Sequence, residues 1–501
     1  MSRRPNKLIP ADFSPIPSQG APARVRAVAE FDAADAVGYP VPTDGDVPAA
    51  LGVSRAGLAA AGFEGTLGTA LVLPTDNAPE MVAGGAGPTG DLSLADIRDM
   101  AAAFARAAAK SATIGLWLPD LGGLAPADAA QAAVEGALLA RYRYSLKSAP
   151  TETLLVEVQV GGHGDLEALG EGAQRGAVTA RAAAIARDLT NTPAAHLTAT
   201  DMAETAVELG ERHGFTVRTY DLQQCIDEGF GGLLGVNRGS SEEPRMIVLS
   251  YEPDGEPTGH LALVGKGIMY DSGGISLKPS DPMHLLMKTD MGGAGSILGA
   301  FTALRDLGVT TRVTGYLSCT DNVPSGSAYV LGDVLYIRGG KTVEVKNTDA
   351  EGRLVMADAL VLATEQSPDA IVDIATLTGA TLVSLGPLVA PLMGNNAAVV
   401  RQIEAASEAT GEPVWELPLE RRYRKLLNSD IADISNLGGP HAGSITAALF
   451  LAEFVGDVPW GHLDVAGTMH ASADDSWRSA GATGFGARLL VELARSFTVP
   501  D

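Results

Sequence analysis

Three short stretches hold most of the side chains that could do chemistry, and each follows an apolar run. "LALVGKGIMYDSGGISLK" supplies Lys266, Asp271 and Lys278, "LLMKTDMGGA" supplies Asp290, and "VKNTDAEGRL" supplies Asp349, Glu351 and Arg353. Asp349 and Glu351 are two apart, so in an extended segment both would point to one side. Carboxylates brought together in this way repel unless cations neutralise them. A pair of divalent ions with bridging carboxylates would do so, and two-metal sites, with ions about 3.5–4 Å apart, generate a hydroxide near neutral pH. Oxygen ligands suit Mn²⁺ or Mg²⁺, and carboxylates also bind Zn²⁺. Taken singly, each aspartate fits a helix cap or turn equally well, since "DMGGAG" and "TDAEG" both precede helical patterns. Each lysine alone fits a solvated surface residue. The eight histidines include no H-E-x-x-H, which argues against a histidine-based zinc protease.

The "DSGG" inside the first stretch raises a rival chemistry. Ser272 has the look of a serine-protease nucleophile, and "PAAHL" places His196 in a matching setting. A chymotrypsin-type site needs two β-barrels and His and Asp partners, whereas this half of the chain alternates strand and helix patterns. The nucleophile-elbow pattern fails as well, because Tyr270 stands where glycine is required. Ser272 is therefore expected to be a small turn residue that aims Asp271, with Gly273 and Gly274 allowing close backbone approach. His196 is expected in a helix end and turn.

These residues need a scaffold. At roughly 100–200 residues per domain, 501 residues predict two or three domains. A net charge of −24 repels phosphate backbones, and "ERRYRK" (420–425) reads as a solvated face, so nucleic acid and anionic membrane are poor partners. Two cysteines, Cys225 and Cys319, predict reduced buried thiols in a cytoplasmic enzyme. No apolar leader is visible around "MSRRPNKLIPADF". Residues 374–400 lack charge but are broken by Pro387 and Pro391, which predicts a buried strand and buried loops in place of a membrane span.

"GTALVLP", "TIGLWLP" and "TETLLVEVQV" read as strands and "ADIRDMAAAFARAAAK" as a helix, which predicts a small N-terminal α/β domain over 1–165. "GGHGDLEALGEG" reads as a linker, followed by a long helix over about 173–189, so that 166–195 connects the halves. From 196 to 501, "RMIVLSY", "HLALVGKG", "RVTGYLSC", "AIVDIATL" and "WGHLDVAG" alternate with helical patterns. The predicted fold is α/β: a catalytic domain with a mixed, largely parallel sheet covered by helices on both faces. Sites in such sheets lie beyond the carboxyl ends of the strands, where the polar clusters fall.

At these residues the chain strongly resembles the leucyl aminopeptidases, the cytosol aminopeptidase family. "NTDAEGRL" matches the family signature without change, and "VGKGIMYDSGGISLKP", "MKTDMGGA", "DIATLTGA", "SDIADISN", "AGSITAALFL" and "HLDVAGT" resemble its other blocks in order, over roughly 180–490. The resemblance implies a cytoplasmic metallo-exopeptidase that releases N-terminal residues, preferring Leu and other apolar ones, from small peptides with a free N-terminus. It implies two divalent ions per subunit, Mn²⁺ or Zn²⁺, with Mg²⁺ admissible at the exchangeable site. Lys266, Asp271, Asp290 and Glu351 would hold the tighter ion, and Asp271, Asp349 and Glu351 the exchangeable one. Lys278 would polarise the scissile carbonyl, and Arg353 would hold a bicarbonate that acts as general base. Met287, Thr376, Gly379, Ala466 and Met469 would wall the pocket for the first side chain, with the Leu377 carbonyl near the substrate. A homohexamer is implied too.

The sequence departs from the family's usual pattern at Met269-Tyr270, at Asp321 and at Val330-Leu331, none of them an implied ligand. A phosphoesterase would share the carboxylates but has no need of two lysines set around Asp271. A DNA-binding or regulatory member of the family is the other alternative, and the charge of −24 and the filled catalytic positions weigh against it.

Overall fold

The computed structural model describes residues 9–501 except 11, 76–78, 91, 150–151 and 163. Most of the stretch read above for an apolar leader lies outside them. The described residues form two compact units: Ser18–Ala184 with Ala471–Thr483, and a second containing Ile185–His470, Gly484–Asp501 and the chain up to Pro17.

The first unit holds a six-stranded sheet, β1 (Arg24–Ala27), β2 (Ala36–Pro42), β3 (Ala70–Leu73), β4 (Glu80–Gly87), β5 (Thr113–Leu118) and β6 (Glu157–Gly162), in the order β1-β6-β5-β2-β4-β3. Only the β3–β4 pair is antiparallel. Helix α1 (Leu94–Ala107) starts at a capping box in which Ser93 and Asp96 satisfy each other's backbone N–H. The stretch expected as a linker, 161–172, instead holds the end of β6 and, from Leu166, the start of a helix. After α2 (Pro126–Ala140), helix α3 runs unbroken over Leu166–Asn191, with Asp165 accepting from the Ala168 N–H. Gly172, one of the glycines that suggested a linker, and Gly176 beyond it serve packing. A Cβ at Gly172 would lie 1.9 Å from the Ala127 carbonyl oxygen, and one at Gly176 2.7 Å from that of Gln131. Glycine lets α2 and α3 touch backbone to backbone. Residues 471–483 belong to this unit through Arg106, which donates to the Ser476 and Arg478 carbonyls and pairs with Asp474 at 2.6 Å.

The second unit is built on eight strands: β7 (Thr216–Tyr220), β8 (Arg245–Tyr251), β9 (His260–Asp271), β10 (Arg312–Asn322), β11 (Ala370–Ala375), β12 (Ala390–Gly394), β13 (Val414–Glu416) and β14 (Trp460–Asp464). Their order is β13-β12-β14-β11-β9-β10-β8-β7. The four central strands, β14, β11, β9 and β10, are mutually parallel, so their carboxyl ends share one edge. Antiparallel pairs confine themselves to the flanks. Helix α4 (Gly292–Leu304) is buried throughout and approaches β9 so closely that a Cβ at Gly265 would sit 2.9 Å from the Ala294 backbone. Helix α5 (Gly352–Thr364) presses from the other face: a Cβ at Gly352 would meet the Lys266 side chain at 2.5 Å. Neighbouring β9 residues thus face different helices, as pleating demands. Helix α6 (Gly443–Ala452) is likewise apolar and largely buried.

Residues 374–400 are not all buried loop. They include β12 and a short helix at Ala380–Ser384, on which Val383 is 90 % exposed. Among the described residues no helix is long and apolar enough to cross a membrane. Both cysteines are buried free thiols, and burial pushes them up to about 11 and about 12.

Candidate metal centre

The carboxyl edge of the central strands gathers the predicted residues. Lys266 projects from β9 and is 3 % exposed; its Nζ lies 2.8 Å from Asp290 Oδ2, 2.9 Å from Glu351 Oε1 and 2.8 Å from the Thr376 carbonyl oxygen. Thr376 Oγ1 donates to Asp290 Oδ1 at 2.7 Å. Asp290 stands between a short 3₁₀ turn and α4, and Glu351 just ahead of α5, yet neither side chain caps its helix. The capping alternative therefore fails for Asp290, while Asp349 does lie in a turn.

Asp271 ends β9. Its Oδ1 accepts from the Gly273 N–H and the Asn322 amide, each at 2.8 Å, and its Oδ2 is 2.8 Å from Lys278 Nζ. Lys278 Nζ also contacts Asp349 Oδ1 at 2.5 Å. Gly273 and Gly274 have φ of 86° and 65°, which glycine adopts freely, and they turn the chain so that Lys278 returns toward Asp271. Ser272 Oγ donates to the Asn322 carbonyl at 2.8 Å, a turn-holding role. His196 lies in a turn with its ring edge-on to Phe13.

The extended-segment argument for Asp349 and Glu351 does not hold. Thr348-Asp349 is a turn and Glu351 has helical backbone angles. The turn bonds itself, with the Asp349 N–H donating to Asn347 Oδ1 at 2.8 Å, and this brings both acids to the site.

Burial works against every charge here. It holds Asp271 up at about 6, with the Glu351 charge adding to the effect and Lys278 and Lys266 opposing it. Burial likewise raises Asp290 well above the usual carboxylate range, against Lys266. Glu351 is also buried, but the two lysines outweigh that and hold it below its ordinary value. Burial opposes the Lys266 and Lys278 charges too, and the surrounding carboxylates more than restore them. Arg353 is buried and its guanidinium makes no hydrogen bond or ion pair among the described residues; burial brings it down to about 10.

Cations fit this arrangement. Asp271, Asp290 and Glu351 each offer a carboxylate oxygen within 4.8 Å of the others, all three buried. Glu351 Oε2 is buried with no hydrogen-bond partner among the described residues. Lys266 and Lys278 offset only two of the four acids, and a largely buried cluster left net negative with an unsatisfied oxygen is a poor end state for a protein core unless further positive charge joins it. Four carboxylates and an amine are a hard donor set.

A cavity of about 330 Å³ opens over the cluster. Lys266, Asp271, Lys278, Asp290, Asp349 and Glu351 form one end of it. Met287, Thr376, Leu377, Gly379, Ala466 and Met469, the expected pocket residues, form part of its wall. Arg353 alone of the predicted residues does not line it. Two residues went unassigned in the sequence. Asn322 holds Asp271, and Asp464 accepts the Leu377 and Thr378 N–H groups at 3.0 and 3.3 Å. Both end central strands, so the rule that polar residues at strand carboxyl ends form the site would have found them. His284 also lines the cavity, with its ring stacked on Tyr270, so one departure from the family pattern reaches the cavity edge.

Comparison with known proteins identifies the family. The model of the cytosol aminopeptidase family catalytic domain matches residues 184–491, and that of its N-terminal domain matches 48–150. Relatives named "Probable cytosol aminopeptidase" include one from Chlorobaculum tepidum, 45 % identical over 74 % of this chain and 76 % of its own. Another, from Rippkaea orientalis, is 41 % identical over 87 % of this chain and 89 % of its own. The solved structure of the bottromycin maturation enzyme BotP in complex with Mn superposes with a TM-score of 0.85 at 38 % identity, covering 93 % of this chain and 99 % of that one. A tomato leucine aminopeptidase mutant superposes with a TM-score of 0.87 at 30 % identity, covering 95 % and 97 %. The chain belongs to the cytosol aminopeptidase family, in both its N-terminal and its catalytic domain.

Proposed function

We propose that this chain is a metal-dependent aminopeptidase that releases Leu and other apolar residues from the N-terminus of peptides, with its catalytic machinery within 196–501. The observation that carries the reading is the unsatisfied Glu351 Oε2 within a buried three-acid cluster, at the base of a cavity walled partly by Met287 and Met469. Lys266, Asp271, Asp290 and Glu351 would hold one divalent ion, and Asp271, Asp349 and Glu351 a second. Such ions supply Lewis-acid activation of water and of a carbonyl. Lys266 joins the ligand set as the neutral amine.

The remaining chemistry belongs to side chains. Lys278 reaches into the cavity beside Asp271 and Asp349 and stabilises negative charge that develops on the scissile carbonyl oxygen. Arg353, a buried guanidinium with no acidic partner within bonding distance among the described residues, suits a small anion, and bicarbonate there would serve as the proton acceptor. Asp290 orients the substrate's free amine, which restricts cleavage to the first bond. Two flexible thioethers and small residues in the wall accommodate Leu and Met side chains.

Hydrolysis of leucine p-nitroanilide by metal-stripped protein tests this. Activity is expected to vanish on stripping and to return with Mn²⁺ or Zn²⁺, while N-acetylated leucine p-nitroanilide stays intact. Cleavage of the blocked substrate, or full activity without metal, would overturn the reading.

A further inference from the structure

Asp464 ends β14 and is fully buried behind the cavity wall without lining it. Its Oδ1 accepts three backbone N–H groups from two segments: Leu377 at 3.0 Å, Thr378 at 3.3 Å and Ala466 at 3.3 Å. Its Oδ2 accepts the Thr378 hydroxyl at 2.7 Å, and that hydroxyl also meets Ser444 Oγ, at the start of α6, at 3.0 Å. The segments so joined are those that carry Thr376, Leu377 and Gly379 on one side and Ala466 and Met469 on the other. Backbone N–H groups in a buried turn need acceptors, but most buried turns meet that need with carbonyls of their own chain. Here one carboxylate serves both segments, so the distance between them is set by the span of a single side chain.

We propose that Asp464 is a positioning residue that fixes the width of the pocket for the first side chain, and hence the preference for Leu over smaller residues, with the Thr378 hydroxyl as its anchor. This rests on the aminopeptidase reading above. A pocket of fixed width discriminates by fit, and one or a few methylenes are worth a 10- to 200-fold rate ratio in a well-formed pocket, roughly. Loosening the staple should collapse that ratio while leaving the metal ligands, none of which Asp464 touches, in place.

The test compares kcat/KM for leucine and alanine p-nitroanilides in Mn²⁺-loaded wild type, Thr378→Val, Thr378→Ser and Asp464→Asn, alongside bound Mn²⁺ and the affinities for free leucine and alanine by calorimetry. Thr378→Val keeps the shape of the side chain and removes the hydroxyl. It should lower the Leu/Ala ratio by about tenfold with normal metal content, and Thr378→Ser should restore it. Asp464→Asn should act in the same direction and more strongly, since an amide group turns a donor toward N–H groups; Thr378→Val carries the test if that variant does not fold. An active wild type whose ratio is unmoved in Thr378→Val overturns the inference and leaves the peptidase reading standing. A wild type inert toward both anilides, but losing its preference for free leucine in Thr378→Val, sinks the peptidase reading and keeps the pocket inference. Neither activity nor a leucine preference in the wild type overturns both.

Discussion

The two lysines of the site stand in different surroundings, and the roles proposed for them differ accordingly. Lys266 is 3 % exposed and its partners Asp290 and Glu351 are 8 % and 2 % exposed. Lys278 is 20 % exposed, and its outer partner Asp349 is 33 % exposed. The inner lysine is packed under the first turn of α5 at Gly352; the outer one lies along the cavity, on a loop released from β9 by two glycines. A side chain held in place out of water suits permanent ligation, which Lys266 would provide as the neutral amine. A charge that water reaches suits exchange, and it suits contact with a substrate that comes and goes. The same residue type thus stands in two degrees of burial, and burial is what separates the two proposed roles.

Three substitutions test that contrast. Lys266→Met should have the largest effect: removing one partner of a buried ion pair costs about 3–5 kcal/mol, so urea unfolding of the metal-stripped protein should show a loss of that size. Lys278→Ala should lower kcat by about 10²–10³-fold, the usual cost of removing an oxyanion donor, with metal content unchanged by elemental analysis. Its stability cost should be smaller than that of Lys266→Met, because water can replace the ammonium beside Asp349. Equal stability losses in the two variants would erase the distinction between inner and outer. Ser272→Ala should do least, about 1–2 kcal/mol for the hydrogen bonds its hydroxyl makes to the Asn322 carbonyl and the Gly274 N–H, with kcat nearly intact. A dead but fully metallated Ser272→Ala enzyme would mean that the serine takes part in the chemistry.

Strand ends were legible in the sequence because apolar runs stop where polar clusters begin, as at "LALVG" before Lys266 and "AIVDIA" before Thr376. The α/β alternation therefore points to the carboxyl edge of the central strands, where the polar residues gather. What escaped were features set by contact. Asp349 and Glu351 converge through a turn closed by the Asn347 side chain, which a period-two argument does not represent. The glycines near 170 looked like a linker because composition does not say whether glycine frees a backbone or lets another press against it. Asp464 went unassigned because its partners are backbone N–H groups of a distant segment. Tyr270 was noted as a departure, but its stacking on His284 belongs to the folded loop.

The return of residues 471–483 to the N-terminal unit bears on how such a gene can be cut and joined. Arg106 and Arg143 find Asp474, and Arg106 the Ser476 carbonyl, more than 300 positions downstream. A recombination event that moved only the first 184 codons would carry the arginines without their acceptors. Neither unit is a continuous stretch of message, so a single exchange at one junction would divide both.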